Sequence, residues 1–126
     1  ILVNEEFDVR KEAAWAISNA TSGGQLAVRF LVQQGCLLPL ADILTVADEK
    51  IIVVALEGLE NILKMGKLDA EAQGTINIVA SMLEQNGGAE NIVQLQYHEN
   101  SGIVDQSQRI LEGYFEVEEE EGGDMG

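Results

Sequence analysis

Lys11-Glu12-Ala13-Ala14-Trp15-Ala16-Ile17-Ser18-Asn19, running on into Ala20-Thr21-Ser22-Gly23-Gly24, is the stretch that decides the fold. At about 100° of turn per helical residue, Ala13, Ile17 and Ala20 form one stripe, and Glu12, Trp15 and Asn19 form another about 130° away. Trp15 is set off the apolar stripe. A helix that buries Ala and Ile on one side and carries Trp and Asn one turn apart on another is suited to presenting them. The competing reading places Trp15 in a contact with a further helix, where large aromatics usually lie.

The same helix recurs. Moving 42 residues along lays Ala13, Ala14 and Ile17 on Ala55, Leu56 and Leu59, Trp15 on Glu57 and Asn19 on Asn61. A further 52 residues lays Ile51, Ala55, Leu59, Ile62 and Leu63 on Ile103, Ser107, Leu111, Tyr114 and Phe115, Glu57 on Arg109 and Asn61 on Gly113. Repeats of about this length belong to two- and three-helix solenoids. The expected fold is an all-α solenoid of the armadillo or HEAT class; the resemblance described next implies the armadillo form, a right-handed α-solenoid with about two full three-helix repeats and the end of a preceding one.

These residues resemble the late armadillo repeats of importin-α, the adaptor that carries nuclear localisation signals. The likeness continues through Gly35-Cys36-Leu37-Leu38-Pro39-Leu40-Ala41-Asp42-Ile43-Leu44, Leu56-Glu57-Gly58-Leu59-Glu60-Asn61-Ile62-Leu63 and Tyr97-His98-Glu99-Asn100. It ends in Tyr114-Phe115-Glu116-Val117-Glu118-Glu119-Glu120-Glu121. The resemblance implies a protein that shuttles between cytoplasm and nucleus, with no enzymatic activity, no cofactor and no metal. It implies that basic signal peptides of cargo proteins meet Glu12, Trp15 and Asn19, with Ser18 as an edge contact. Glu57 and Asn61 continue that minor-site surface. The last two repeats are then the docking region for the export receptor of importin-α, nucleoporins and non-classical cargo, with Glu116, Glu118, Glu119, Glu120 and Glu121 as docking residues. Importin-β is bound in this family by an N-terminal segment that does not occur in this sequence, so these residues are not expected to bind it that way.

The chemistry of such a site can be stated from the residues. An indole face takes the methylene stem of lysine or arginine and attracts its cation, at about 0.5 to 2 kcal/mol per good contact. The Asn19 carboxamide both donates to and accepts from a peptide backbone, and so holds an extended strand without reading its side chains. Glu12, one turn before Trp15, adds a carboxylate. The pattern then fades, because Glu57 stands where a stacking Trp would be, and Arg109 and Gly113 offer a basic peptide repulsion and no clamp. A slot between two indoles needs a second Trp, and the chain has one. Weak binding of a basic signal is therefore expected.

Composition agrees. The net charge is -15, from 7 Lys and Arg against 22 Asp and Glu. This argues against nucleic acid as a partner, because phosphate binding needs clustered cations, whereas an acidic surface speeds encounter with basic partners. No apolar run reaches the length of a membrane span, and none of the chain reads as a secretory signal. The single cysteine, Cys36, in its Gly-Cys-Leu-Leu setting, is expected to be a buried, reduced thiol.

In chain order, residues 1–22 read as the end of a preceding repeat, with 1–9 as the tail of one helix and a turn before the Trp15 helix; lacking an initiator Met, the beginning looks truncated. Residues 23–65 read as one armadillo repeat: helices over 26–34 and 36–47, with Pro39 in a first turn, then 50–65 capped by Asp48. Ile51-Ile52-Val53-Val54-Ala55-Leu56 would pass for a strand, but apolar spacing continuing through Leu59, Ile62 and Leu63 favours a helix. Residues 66–117 read as the last repeat, with a long connection over 66–74 and helices over 76–86, 89–98 and 102–117. Residues 118–126 read as an acidic tail without the apolar content to fold alone.

Other readings are weaker. Acyl-transfer catalysis needs nucleophile, base and orienting group within hydrogen-bond reach, and Cys36 and His98, the only Cys and His, fall on second helices of different repeats. An armadillo-type scaffold for acidic peptides would need a basic groove. A purely structural capping fragment, whose first surface waits for more repeats, is the remaining alternative.

Overall fold

The computed structural model describes residues 2–45 and 48–115, and these form seven α-helices with no strand. Helix α1 runs unbroken over Leu2–Ala20 and ends in a 3-10 turn, Thr21–Gly23. The turn expected before the Trp15 helix is thus absent, because nothing in Leu2–Ala20 is Gly or Pro, the residues that interrupt a helix most strongly. Helix α2 covers Gln25–Gln33 and α3 Leu37–Ile43, with Pro39 inside the first turn as expected.

Helix α4, Glu49–Gln73, organises the rest. Asp48 caps it, its carboxylate accepting from the Lys50 and Ile51 amides, and the strand-like run from Ile51 is helical. The helix expected to end near Met65 continues to Gln73 and stops at Gly74, whose left-handed backbone (φ 68°) closes a C-cap on the Ala70 carbonyl. Gly66 does not mark a break. It is a point of close approach: a Cβ there would overlap Asn77 Oδ1 and come within 3.1 Å of Val79.

Helix α5 covers Ile78–Asn86 and is capped by Asn77; α6 covers Gly88–Gln94 and passes into a 3-10 turn, Leu95–Tyr97. Helix α7, Ser101–Tyr114, is capped by Asn100 and leaves helical geometry at Phe115. The second helix of this unit is thus shorter than expected, the chain being extended at His98.

Packing follows the repeat. Helix α4 lies against α1 on one side and α7 on the other, and also meets α2, α3 and α5, while α3 packs on α6. The side chains of Leu40, Ile43, Ile51, Leu56, Leu59, Ile62, Leu63, Leu83, Ile92, Ile103 and Ile110 are fully enclosed between these helices. At about 25 cal/mol per Å2 of apolar surface removed from water, this continuous core is the main favourable contribution to folding. It fixes the direction in which α1, α4 and α7 point their remaining side chains.

Candidate peptide-binding face

The buried stripe of α1 differs from the expected one. Ala13 and Ala20 are exposed and Ile17 is half-buried, whereas Ala14, Ser18 and Thr21 are buried. Ala14, Ser18 and Thr21 recur at helical spacing, and all are small. They let α1 settle closely on α4, where Gly58 supplies the space: a Cβ on Gly58 would stand 2.9 Å from Ser18 Oγ and 3.1 Å from Ser18 Cα. Polarity had hidden this stripe, because the Ser18 and Thr21 hydroxyls find carbonyl acceptors, Ser18 across the seam and Thr21 in the preceding turn.

The hydroxyls do so in a chain. Ser18 Oγ donates to the Val54 carbonyl across the seam at 2.5 Å. Thr21 Oγ1 donates to the Ser18 carbonyl at 2.5 Å and accepts from Asn61 Nδ2 at 3.0 Å. Ser18 is thereby held inside the α1–α4 seam and is not an edge of the surface. Asn61, half-buried, commits one of its amide hydrogens to the seam. Lys11 Nζ and the Asp48 carboxylate, 3.1 Å apart, tie the other end of α1 to the cap of α4. That bond, with the two amides Asp48 accepts, holds its carboxyl below the usual carboxylate range, the Lys11 hydrogen bond being the largest cause.

Glu12, Trp15 and Asn19 share a separate, exposed stripe of α1, and the indole is 47% exposed. On α4, Glu57 is exposed at the equivalent register. The arrangement offers an open aromatic face with a carboxylate one turn to one side and a carboxamide one turn to the other. Such a surface suits a cation carried on a methylene stem.

The α4–α7 seam is built differently. Arg109 donates two hydrogen bonds to Glu60, Nε to Oε2 at 3.0 Å and Nη2 to Oε1 at 2.8 Å. The Glu60 hydrogen bonds, and then its charge, raise the Arg109 guanidinium, with Tyr114 and Glu57 adding to the same effect. Lys67 Nζ lies 5.8 Å from the centroid of the Tyr114 ring. Burial raises the Tyr114 phenol, Glu60 acts the same way, and Arg109 opposes both. Glu60, Lys67 and this role of Tyr114 had no sequence signal, since the pairings join residues far apart in the chain.

The acid run Glu116, Glu118, Glu119, Glu120 and Glu121 lies outside the described residues. His98 Nδ1 accepts from the Asn100 amide at 3.0 Å, a helix-end contact. Burial pushes the Cys36 thiol up to about 11, so it is held in its unreactive form. Among the described residues no group of three or more His, Cys, Asp and Glu side chains could hold a metal ion, and no single helix is long and apolar enough to cross a membrane.

Two successive helix triplets, with α1, α4 and α7 ranged side by side and the first and second helices behind them, define an α-solenoid of the armadillo class. A family profile described as "Atypical Arm repeat" matches residues 77–126. Importin subunit alpha-5 of Arabidopsis thaliana is 43% identical over 128 residues, covering 94% of this chain and 24% of that protein. Importin subunit alpha of Saccharomyces cerevisiae is 50% identical over 94 residues, covering 74% and 17% respectively. Importin subunit alpha-4 of Arabidopsis thaliana is 48% identical over 163 residues, covering 94% and 30%. The chain belongs to the importin-α family of armadillo-repeat proteins, and it spans between 17% and 30% of the length of these three relatives.

Proposed function

We propose that this chain is the C-terminal armadillo part of a nuclear import adaptor that binds basic nuclear localisation signals of cargo proteins and shuttles between cytoplasm and nucleus. Glu12, Trp15 and Asn19 form the contact surface, continued by Glu57 and Asn61. The observation that carries this reading is the exposed Trp15 indole between Glu12 and Asn19, on a helix whose other side is locked to the core. A lysine stem lies on the indole, its ammonium is drawn to Glu12, and Asn19 holds the peptide backbone. Glu116 and Glu118–Glu121 form a docking segment for the export receptor or a nucleoporin, which an acidic run recruits through basic surface.

Titration calorimetry of the chain and its Trp15→Ala variant against a basic signal peptide tests the first part. One indole contact is worth about 0.5 to 2 kcal/mol, so Trp15→Ala weakens binding by roughly two- to thirtyfold. A tight stoichiometric complex that survives Trp15→Ala refutes the assignment. Titration with the purified export receptor tests the second part, and binding unchanged when residues 116–126 are removed would refute it.

A further inference from the structure

In the repeat register, Trp15, Glu57 and Arg109 occupy equivalent positions on α1, α4 and α7. At the first of these steps an aromatic ring and a carboxylate, Trp15 and Glu12, face solvent. At the last, a carboxylate and an aromatic ring are again present, Glu60 and Tyr114, but each already holds a cation of the chain itself. Arg109 sits on Glu60 through two hydrogen bonds at 2.8 and 3.0 Å, and Lys67 lies over the Tyr114 ring at 5.8 Å. We propose that Arg109 and Lys67 stand in for a basic ligand at the α4–α7 step. They thereby set the limit beyond which a basic peptide lying along this face gains no further contact.

The inference rests on the basic-peptide reading and adds a specificity device to it. The Arg109 side chain is 60% exposed and that of Glu60 24%, so the pair adds little to stability. Its effect falls on what approaches from outside. A planar, two-bond guanidinium contact uses both carboxylate oxygens of Glu60, and its charge also reaches Glu57. A peptide cation arriving there meets an acid already neutralised and a ring already covered. The same chain thus carries an open cation slot and a filled one, and the filled one is revealed by removing two exposed cations.

The test uses the whole chain and two peptides, one with a single basic cluster and one with two clusters joined by a spacer, titrated at low and moderate salt. Arg109→Ala with Lys67→Ala is expected to tighten the two-cluster peptide about three- to tenfold and the one-cluster peptide less than twofold. Adding Glu60→Gln should remove the gain. Arg29→Gln, which removes an equally charged cation paired with Asp69 on another surface, should change neither. Equal tightening of both peptides, or the same gain from Arg29→Gln, would reduce the effect to net charge and overturn the proposal. The whole series is repeated with Trp15→Ala. If the unaltered chain binds no peptide, the Trp15 reading fails. In that case a Glu60-dependent gain in the opened variant still supports the filled slot, and no gain refutes it. Circular dichroism of each variant confirms that the helices remain.

Discussion

Gly58→Ala perturbs the fold and the candidate surface at one point. The added methyl would stand 2.9 Å from Ser18 Oγ, 3.0 Å from Ser18 Cβ and 3.1 Å from Ser18 Cα. The last contact is with backbone, so rotating a side chain does not relieve it, and α1 must move off α4. Overpacking of this kind costs about 1–3 kcal/mol. Loss of the Ser18 bond to the Val54 carbonyl adds about 1 kcal/mol. The better helix propensity of alanine returns about 1 kcal/mol. The net loss is about 1–3 kcal/mol, which lowers Tm by roughly 3–15 °C for a domain of this size. Gly113→Ala is the matched control, because a Cβ there meets nothing within 4 Å; it should be neutral or slightly stabilising. Thermal and urea unfolding followed by circular dichroism reads both, and the emission of Trp15, the sole tryptophan, reports movement of α1. If Gly58→Ala were as stable as the parent, behaving like Gly113→Ala, the close seam would not be what positions Trp15.

Asn77 both caps α5 and donates from Nδ2 to the Leu63 carbonyl at 3.1 Å; Asn77→Ala should cost about 1–3 kcal/mol in urea unfolding, with Asn77→Asp intermediate because it keeps only the cap. Burial raises the Cys36 thiol from 9.0 to about 11, so the folded state favours the neutral thiol. Stability is untouched below about pH 9 and falls from there toward about pH 11 as the unfolded thiol ionises, and an alkylating reagent at mildly alkaline pH should modify Cys36 only as fast as the protein opens. The Arg29 hydrogen bonds, then its charge, lower the Asp69 carboxyl. A lowered carboxylate stabilises above its unfolded value, so the small difference between the parent and Asp69→Asn should fade as pH falls below 3.8, and acid titration of the two melting curves checks this.

Those features differ in how far they could be read from the sequence. Asp48 was legible because an N-cap acts on amides two and three residues on, a local event with a local signal. The strand-like run from Ile51 resolved correctly because apolar spacing outlasted any ordinary strand. Gly66 misled because glycine ends helices for one reason and permits close packing for another, and only Asn77, brought up by the fold, distinguishes them. The α1 stripe was misjudged because Ser18 and Thr21 count as polar in a periodicity, although each finds its partner in a neighbouring carbonyl. Glu12, Trp15 and Asn19 do share one exposed face, since their spacing alone determines it. The Arg109 bonds to Glu60 join residues 49 positions apart, and no single sequence marks such a pair.

The net charge of -15 therefore explains less of the proposed recognition than it first suggests. At physiological ionic strength the screening length is about 8 Å, so a bound peptide cation responds to the few charges beside it and hardly to the rest. Two unit charges about 6 Å apart in water interact by about 0.7 kcal/mol without salt and by about half of that at this ionic strength, near a twofold change in affinity. On the proposed reading, removing Arg109 and Lys67, and so freeing Glu60, favours a cation at the α4–α7 step by about threefold at this ionic strength and more at lower salt, in a chain that already has 22 acidic residues. Helix α4 makes this local arithmetic hold. With 25 residues it extends about 37 Å at 1.5 Å per residue, and its buried side from Ile51 to Leu63 is enclosed by core. The backbone that carries Glu57 and Glu60 is thereby held in place. If the proposed peptide reading holds, what a basic peptide meets along this face is decided by the cations already seated on it, and the acidity of the whole chain acts mainly on how fast the peptide arrives.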